Sequence, residues 1–301
     1  MSGPILLTGV TGQVGGELAQ VLKSYGEVIA PTRSEMNLAD VTSVRKTIQS
    51  IRPRWIVNPA AYTAVDKAES EPELAYAINA EAVGAIGEEA YRIAAGVIHF
   101  STDYVFAGTG SAPFREEDET GPVSVYGASK LAGEGALQRS GAACLIFRTS
   151  WVYGATGKNF LKTILKAARE RERLRVVADQ NGAPTWSRDL ARMTSEVIRQ
   201  IESSARPGEL AEALASRQGI YHAAGAGETT WHGFAVEAIN RLRERHPEAR
   251  LAEVDAITTA EYPTPARRPL NSRLSCDRLA KTFGWKMIDW HDSLREVMAE
   301  L

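Results

Sequence analysis

The chain of 301 residues is poor in cysteine, nearly neutral in charge and without long apolar runs. Its two cysteines, Cys144 and Cys276, are too few for a disulfide framework, so we expect reduced thiols. The 35 basic and 37 acidic residues leave a net charge of −2, which excludes a strong overall attraction to nucleic acid or to an anionic membrane. No apolar run has membrane-spanning length, and a strand pattern begins too early to leave room for a signal peptide. These absences predict a soluble cytoplasmic protein that binds neither nucleic acid nor membrane.

A metal-ligand motif is also missing from the sequence. The five histidines have no spacing typical of zinc sites, and the two cysteines lie far apart. His99 lies within an apolar strand pattern, which indicates an interior residue with its hydrogen bonds satisfied. The sequence therefore predicts no metal among the catalytic groups.

What is present near the N-terminus is a dinucleotide-binding signature. The apolar run Ile5–Leu7 leads into Gly9-x-x-Gly12-x-x-Gly15, and apolar residues then recur at helical spacing. Glycines permit the tight turn and the close approach of a pyrophosphate, and the helix N-terminus favours that anion. The cofactor-binding residues predicted here are Gly9, Thr11, Gly12, Gln13, Val14 and Gly15.

The second predicted strand bears on which nicotinamide cofactor binds. An NAD site usually has an acidic residue at this strand end for the ribose 2′-hydroxyl, and none is present. Arg33 stands there instead, where it would either meet the 2′-phosphate of NADPH or remain a solvated loop residue. Asp40, further on, is either a contact near the adenine or a helix cap.

Strands alternate with helices from residue 5 to residue 150, which predicts a parallel sheet covered on both faces. Ligands bind beyond the carboxyl ends of the strands in such sheets. Four segments with polar, glycine or aromatic residues follow predicted strands: the glycine turn, 58–62, 101–103 and 149–153. Ala60, Ala61 and Tyr62 in the second segment are therefore predicted to contact the cofactor. Beyond residue 150 the pattern is less regular, and we expect 203–217 to be a polar surface segment.

The spacing of Tyr126 and Lys130 places them on one face of a predicted helix. An ammonium group beside a phenol favours the phenolate, and we expect it to lower the pKa of Tyr126 and improve proton donation. Ser101 or Thr102, at the end of a neighbouring strand, can hold a carbonyl oxygen in front of that phenol. The alternative for an isolated Tyr-x-x-x-Lys is an exposed pair, but the convergence of four segments favours a carbonyl-reducing site.

The glycine turn with Tyr-x-x-x-Lys resembles the extended short-chain dehydrogenase/reductase superfamily. Within it, the chain resembles the dTDP-4-dehydrorhamnose reductase family in four motifs spread along its length. They are Thr-Gly-Gln-Val-Gly at 11–15, Ser-Thr-Asp-Tyr-Val-Phe at 101–106, Asp-Gln-x-Gly-x-Pro-Thr at 179–185 and Arg-Arg-Pro-x-Asn-Ser at 267–272. The last two are more specific than the superfamily signature.

The resemblance implies an α/β protein: a Rossmann-type doubly wound parallel sheet with a smaller α/β substrate-binding domain. The NAD(P)-binding domain would span 1–150, with parts of 188–225 returning to it, and the sugar-nucleotide domain 151–301. NADPH or NADH would reduce the C4 ketone of dTDP-4-dehydro-6-deoxy-L-mannose. Tyr126 would protonate the C4 oxygen, Lys130 would assist it and hold the nicotinamide ribose, and Thr102 would bind the carbonyl oxygen.

Further roles follow from the same resemblance. Asn79 would serve the cofactor site by holding backbone or a water, or would be an ordinary helix residue. The substrate-binding residues implied are Ser101, Thr102, Asp103, Tyr126, Trp151, Asn159, Val65, Asp66 and Arg268. Asp66 could equally be a helix cap, and the sequence leaves open which residue of the arginine pair, Arg267 or Arg268, meets the diphosphate. Relatives can show a Mg²⁺ effect at a homodimer contact, where Glu17 would serve, although an exposed helix glutamate is the simpler reading.

Three alternatives remain open at this point. A dehydratase would need a second carboxylate after Asp103, where Tyr104 stands, which argues against dehydration. A reductase or epimerase acting on another nucleotide-linked 4-keto-6-deoxysugar would share the same motifs. A non-catalytic regulatory subunit of the methionine adenosyltransferase type has the same fold, although the intact Thr102, Tyr126 and Lys130 favour an enzyme.

Overall fold

The computed structural model describes residues 3–206 and 208–301, which form a mixed α/β structure. The strands are β1 Ile5–Leu7, β2 Val28–Ile29, β3 Trp55–Asn58, β4 Gly96–Thr102, β5 Cys144–Thr149, β6 Val152–Tyr153, β7 Arg173–Val177, β8 Asn181–Gly182, β9 Thr185–Trp186, β10 Gly219–His222, β11 Thr229–Thr230 and β12 Glu253–Ile257. The helices are α1 Gln13–Val21, α2 Val41–Ile51, α3 Val65–Ala68, α4 Pro72–Tyr76, α5 Ala82–Ile93, α6 Val125–Arg139, α7 Phe160–Glu170, α8 Ser187–Ser204, α9 Leu210–Ala215, α10 Trp231–Arg245, α11 Asp277–Phe283 and α12 Trp290–Ala299. A π-helical turn, Ala77–Glu81, joins α4 to α5.

The central sheet has six parallel strands in the order β10-β5-β4-β3-β1-β2. The strand order reverses between β1 and β3, since the chain leaves β1 for the β2 edge and returns to the other side. A crevice forms at such a reversal, outside the carboxyl ends of the strands, and ligands bind there. The sheet topology confirms the predicted Rossmann-type fold.

Both faces of this sheet carry apolar layers, as expected for a doubly wound fold. On one face, alternate strand residues such as Leu7 and Val57 pack with α1, α8, α9 and α11. On the other, Leu6 and Ile56 pack with α2, α5 and α6. Because the side chains of a strand alternate between faces, each short apolar run contributes to both layers.

The remaining elements build a smaller unit beside the carboxyl ends of the sheet. Strands β7 and β12 pair in parallel, and α7, α10 and α12 pack around them through two further apolar clusters. Strand β10 belongs to the central sheet, where it pairs with β5. The division of the chain into domains at residue 150 stays a prediction.

The prediction of a polar surface segment at 203–217 misses a helix with two buried residues. Helix α9 forms there, and Leu210 and Leu214 are buried against the central sheet layer. Two apolar residues four apart suffice to dock one helical turn, although the surrounding residues are polar.

No helix within residues 3–206 and 208–301 is long and apolar enough to cross a membrane.

Candidate active site

The glycine turn between β1 and α1 has the geometry of a phosphate cradle. Gly9 has a φ of +64° and lies so close to Ala60 that a methyl group would approach its backbone to 3.0 Å. A methyl group on Gly15 would lie 2.0 Å from the carbonyl oxygen of Gly9. Gly12 caps α1 without a side-chain hydrogen bond, and the first turn of α1 has no acidic residue. The turn therefore leaves backbone N–H groups and a positive helix end for an anion, which fits a dinucleotide pyrophosphate.

A cavity of about 810 Å³ opens at the carboxyl ends of the strands and includes this turn. Its walls contain most of the residues that the sequence predicts for the site. Those lining it are Gly9, Thr11, Gly12, Gln13, Val14, Gly15, Arg33, Ala60, Ala61, Val65, Ser101, Thr102, Asp103, Tyr126, Lys130 and Trp151. The predicted cofactor turn and the predicted catalytic groups thus share one cavity.

Of the two residues predicted after the second strand, Arg33 lines the cavity and Asp40 does not. Arg33 is exposed and lines the cavity with its neighbours 31–32 and 36–39. Asp40 is exposed and caps α2, since its carboxylate accepts a hydrogen bond from the Thr42 amide at 2.9 Å. Of the two readings of Asp40, the structure shows the helix cap.

Helix α6 brings Tyr126 and Lys130 into the cavity. Ser124 caps the helix by accepting from the Gly127 amide at 3.2 Å. Glycines let the helix approach its neighbours closely, because a methyl group on Gly133 would lie 2.0 Å from the Asn79 carbonyl oxygen. The predicted pairing of Tyr126 and Lys130 on one helical face is therefore held by a cap and by close packing.

The expectation that Lys130 lowers the pKa of Tyr126 is wrong for this structure. Burial and the nearby Asp103 carboxylate raise the pKa of Tyr126 to about 12, and the Thr102 hydroxyl opposes the rise. The Lys130 ammonium donates instead to the carbonyl oxygen of Phe100 at 2.7 Å, and burial lowers its pKa to about 8. Tyr126 is consequently a protonated phenol at neutral pH, the form that a general acid needs.

The end of β4 supplies hydroxyl and carboxyl groups to the cavity. The Thr102 hydroxyl donates to Asp103 Oδ1 at 3.0 Å and accepts from the Tyr104 amide at 3.2 Å. The Ser101 hydroxyl is buried, and it has no hydrogen-bond partner among the residues that the structure describes. Burial raises the pKa of Asp103 to about 6. The Tyr104 ring, which sequence reasoning did not assign, packs edge-on against Tyr126 with ring centroids 5.4 Å apart.

Asn79 lies in the π-helical turn, and it does not line the cavity. Its Oδ1 accepts from the Tyr62 amide at 2.8 Å, and its Nδ2 donates to the Tyr62 carbonyl oxygen and to Ser129 Oγ. The Tyr62 hydroxyl donates to Glu71 at 2.5 Å, and Tyr62 too lies outside the cavity lining. Asn79 thus holds the backbone that follows β3, as one of its two predicted roles requires.

Trp151 lines the cavity in a left-handed backbone conformation, with a φ of +48°. Its indole stacks on Trp231 with ring centroids 3.7 Å apart, and a methyl group on Gly182 would lie 2.6 Å from it. Trp231 also lines the cavity, and sequence reasoning missed it. Trp231 starts a helix 80 residues after Trp151 in the sequence. Because only the tertiary fold brings the two rings together, no local sequence signal could have indicated this contact.

Three predicted substrate ligands lie outside the cavity lining. Asn159 is a helix cap: its Oδ1 accepts from the Lys162 amide, and its Nδ2 donates to Gln13 Oε1 at 2.9 Å. Arg268 and Asp66 form an ion pair at 2.7 Å. A diphosphate role for Asn159 or Arg268 would compete with these bonds. Arg267, the other half of the arginine pair, is exposed.

The expected Mg²⁺ role of Glu17 is not supported. The Arg188 guanidinium donates to both carboxylate oxygens of Glu17, at 3.0 and 3.3 Å, and also pairs with Glu300. The arginine therefore occupies the oxygen atoms that a hard cation would need. Within residues 3–206 and 208–301, no cluster of three or more His, Cys, Asp or Glu side chains could hold a metal.

A family model, the RmlD substrate binding domain, matches residues 3–301. The chain belongs to the RmlD family. Two relatives named dTDP-4-dehydrorhamnose reductase show how close the similarity is. The protein of Escherichia coli K12 is 46% identical over 301 residues, covering 99% of this chain and 97% of the relative. The protein of Burkholderia thailandensis is 45% identical over 288 residues, covering 95% of each chain.

The fold of the chain is also similar to solved structures of dTDP-4-dehydrorhamnose reductases. A dTDP-4-dehydrorhamnose reductase from Clostridium acetobutylicum superposes on this RmlD-family chain with a TM-score of 0.88 and 36% identity, covering 98% of each chain. The Bacillus anthracis dTDP-4-dehydrorhamnose reductase, solved in complex with NADP, also gives a TM-score of 0.88, with 31% identity and complete coverage of both chains.

Proposed function

We propose that this protein reduces the C4 ketone of dTDP-4-dehydro-6-deoxy-L-mannose with NAD(P)H, giving dTDP-L-rhamnose. The observation that carries the proposal is that Thr102, Tyr126 and Lys130 line the same cavity as the glycine turn. Membership of the RmlD family and the names of relatives above 45% identity support the substrate. The NADP complex of a related structure supports a nicotinamide dinucleotide as the cofactor.

The residues of the cavity divide the work of carbonyl reduction. The bound nicotinamide would supply the hydride that the ketone carbon accepts. Thr102 would donate a hydrogen bond to the ketone oxygen, and Tyr126 would give its phenolic proton to that oxygen as negative charge develops there. Lys130, which is buried and lines the same cavity, would hold the cofactor ribose.

Substrate contacts are proposed for further residues that line the cavity and for Arg268 outside its lining. Trp151, Val65 and Ser101 line the same cavity, and this mixture of apolar and polar side chains suits a deoxysugar with one apolar and one polar face. The single proton of the Thr102 hydroxyl is donated to Asp103 in this structure, so it would have to turn from Asp103 to the ketone oxygen when the substrate binds. Arg268 pairs with Asp66 through Nη2, so a diphosphate would compete with that carboxylate for the guanidinium group.

The direct test is oxidation of NADPH and NADH by the purified protein, followed by the absorbance of the reduced nicotinamide. The substrate is made in the same vessel from a dehydratase and an epimerase that yield dTDP-4-dehydro-6-deoxy-L-mannose. We expect oxidation together with formation of dTDP-rhamnose, and the two rates rank the cofactors. An absence of oxidation in protein that binds NADPH would overturn the proposal in favour of another keto-sugar or a regulatory subunit.

The rival epimerase reading is separated by the same assay, because an epimerase retains its cofactor and consumes no NAD(P)H. A regulatory subunit would instead co-purify with a large partner enzyme and leave the keto-sugar unchanged. A cytoplasmic location and a homodimer stay predictions.

A further inference from the structure

A row of buried polar side chains crosses the central sheet between the glycine turn and Lys130. The Thr8 hydroxyl lies 2.6 Å from Asn58 Oδ1, and Asn58 Nδ2 lies 3.0 Å from His99 Nδ1. His99 Nε2 lies 3.2 Å from Lys130 Nζ, which donates to the Phe100 carbonyl oxygen at 2.7 Å. At its other end, the Thr8 hydroxyl accepts from an amide beside the glycine turn, that of Ala60.

The register of three neighbouring strands places Thr8, Asn58 and His99 side by side. Asn58 and His99 are paired residues of β3 and β4, and Thr8 follows directly after β1, the other neighbour of β3. The exposed fractions of the four side chains run from 0% for His99 to 4% for Thr8. Leu6, Ile56 and Val97, which lie two residues earlier on the same three strands, belong to the apolar cluster on this face of the sheet. Polar groups buried in such a layer need hydrogen-bond partners, and here each supplies one for the next.

The hydrogen-bond directions constrain the proton on His99. With the Asn58 amide nitrogen towards Nδ1, the imidazole carries its proton on Nε2 and donates it to Lys130 Nζ, which must then be a neutral amine. With the Asn58 amide turned over, Nδ1 carries the proton and Nε2 accepts from the Lys130 ammonium. A neutral imidazole can therefore serve both protonation states of the lysine, which an aliphatic side chain in its place cannot do.

We propose that His99 is a positioning residue for Lys130: it holds the lysine Nζ in both protonation states and, through Asn58 and Thr8, ties it to the dinucleotide turn. This inference deepens the proposed function, since Lys130 acts in the reductase reaction on which it rests. His99 itself does not line the cavity, and it acts through Lys130.

The charges around Lys130 are compatible with this role. Burial and the neighbouring Lys130 lower the pKa of His99 well below its usual value, so His99 stays neutral. Glu134 on the same helix raises the pKa of Lys130 against the larger effect of burial, and Glu134 is itself paired with Arg148 on β5. Asp103, Tyr104 and Tyr126 are acidic groups that line the cavity together with Lys130.

The test measures the pKa of Lys130 directly, by NMR titration of protein with ¹³C-labelled lysine ε-carbons, with the resonance assigned from Lys130→Met. In His99→Leu we expect this pKa to fall by about one unit, because the ammonium loses a charge-assisted hydrogen bond that is stronger than the one the neutral amine loses. His222→Leu is the matched control. His222 is a second buried histidine, and its ring forms a hydrogen bond with the carbonyl oxygen of Phe114 and not with Lys130. An unchanged Lys130 pKa in folded His99→Leu would overturn the proposal.

A pair of amide variants keeps the test informative if His99→Leu does not fold. The Gln side chain places its amide near the position of Nε2 and can meet Lys130, whereas the shorter Asn reaches only the position of Nδ1. We expect His99→Gln to keep the Lys130 pKa near the wild-type value and His99→Asn to lower it. Equal pKa values in the two variants would overturn the proposal.

Enzyme kinetics give a second readout of the same variants. If Lys130 must be charged, kcat decreases as pH rises through its pKa, and that limb of the profile should move to lower pH in His99→Asn but not in His222→Leu. Because the NMR titration needs no substrate, it still decides the role of His99 if the protein proves inactive on the proposed keto-sugar. The two proposals can therefore fail separately.

Discussion

Arg148 on β5 and Glu134 on α6 form a two-point ion pair inside the protein, with N–O distances of 2.9 and 2.7 Å. Both side chains are almost completely buried, and Phe106 packs beneath the guanidinium. Glu134 lies two helical turns beyond Tyr126 and one beyond Lys130, on the same stripe of α6. The pair therefore attaches the helix that carries the proposed catalytic groups to the strand beside it.

Removing one partner of this pair should destabilise the protein strongly. In Arg148→Met the Glu134 carboxylate is left buried and unpaired, which costs about 3–5 kcal/mol in the free energy of unfolding. Chemical denaturation followed by circular dichroism measures the change. Arg173→Met is the matched control, because the ion pair of Arg173 with Asp255 is exposed to solvent. In this variant we expect almost no change in the free energy of unfolding. A loss of equal size in the two variants would contradict the role of the buried pair.

Replacing Tyr126 with Phe should abolish most turnover and leave the cofactor site intact. The variant lacks the proton donor for the ketone oxygen, and loss of a general acid lowers kcat by roughly 10²–10⁴-fold. Steady-state kinetics and a fluorescence titration with NADPH separate the two effects. Tyr153→Phe is a suitable control, since this phenol is also buried but bonds to Ser293 away from the cavity. Near-normal turnover in Tyr126→Phe would rule out Tyr126 as the acid.

Gly182 tests the position of Trp151 in the cavity. A methyl group on Gly182 would lie 2.6 Å from the indole, so Gly182→Ala must displace the stacked Trp151 and Trp231. We expect KM for the sugar nucleotide to rise about tenfold, the equivalent of about 1.4 kcal/mol, while KM for NADPH stays unchanged. Gly121→Ala is the control, because its added methyl group meets its nearest neighbour at an ordinary 3.5 Å. A rise confined to the NADPH constant would place Trp151 at the cofactor instead.

The buried carboxyl of Asp103 should make stability depend on pH. Its pKa is raised to about 6 in the folded protein from 3.8, so the folded state binds the proton more tightly than the unfolded state. Stability is then lost as pH rises from about 4 to about 6, by up to roughly 3 kcal/mol, and does not return at higher pH. Asp103→Asn removes this loss.

The measurement compares the free energy of unfolding of Asp103→Asn and the wild-type protein at pH 4 and at pH 7.5. We expect the variant to gain stability relative to the wild type at the higher pH only. Asp292→Asn, at an exposed position in α12, should show no such difference between the two pH values. A constant difference across the range would mean that Asp103 has the same pKa in the folded and unfolded states, which would contradict the raised pKa.

Local patterns predicted the parts of the site that are built from neighbours in sequence. The glycine turn follows from three glycines between a strand and a helix, and the shared face of Tyr126 and Lys130 follows from a spacing of four. Helix caps also depend on neighbouring residues, although for Asp40 the sequence alone left open whether it caps a helix or contacts the cofactor. In each case, the covalent chain itself sets the distances, and the surrounding fold changes them little.

What the tertiary structure decided is how groups far apart in sequence meet. Helix packing gave the Lys130 ammonium the Phe100 carbonyl and His99 as partners, and burial raised the pKa of Tyr126 although a cation was expected to lower it. The Trp151–Trp231 stack joins residues 80 positions apart. Composition, glycine placement and helical spacing thus determined the fold class and the chemistry. Burial and long-range contacts, which depend on all elements packing at once, decided the protonation states and the shape of the cavity.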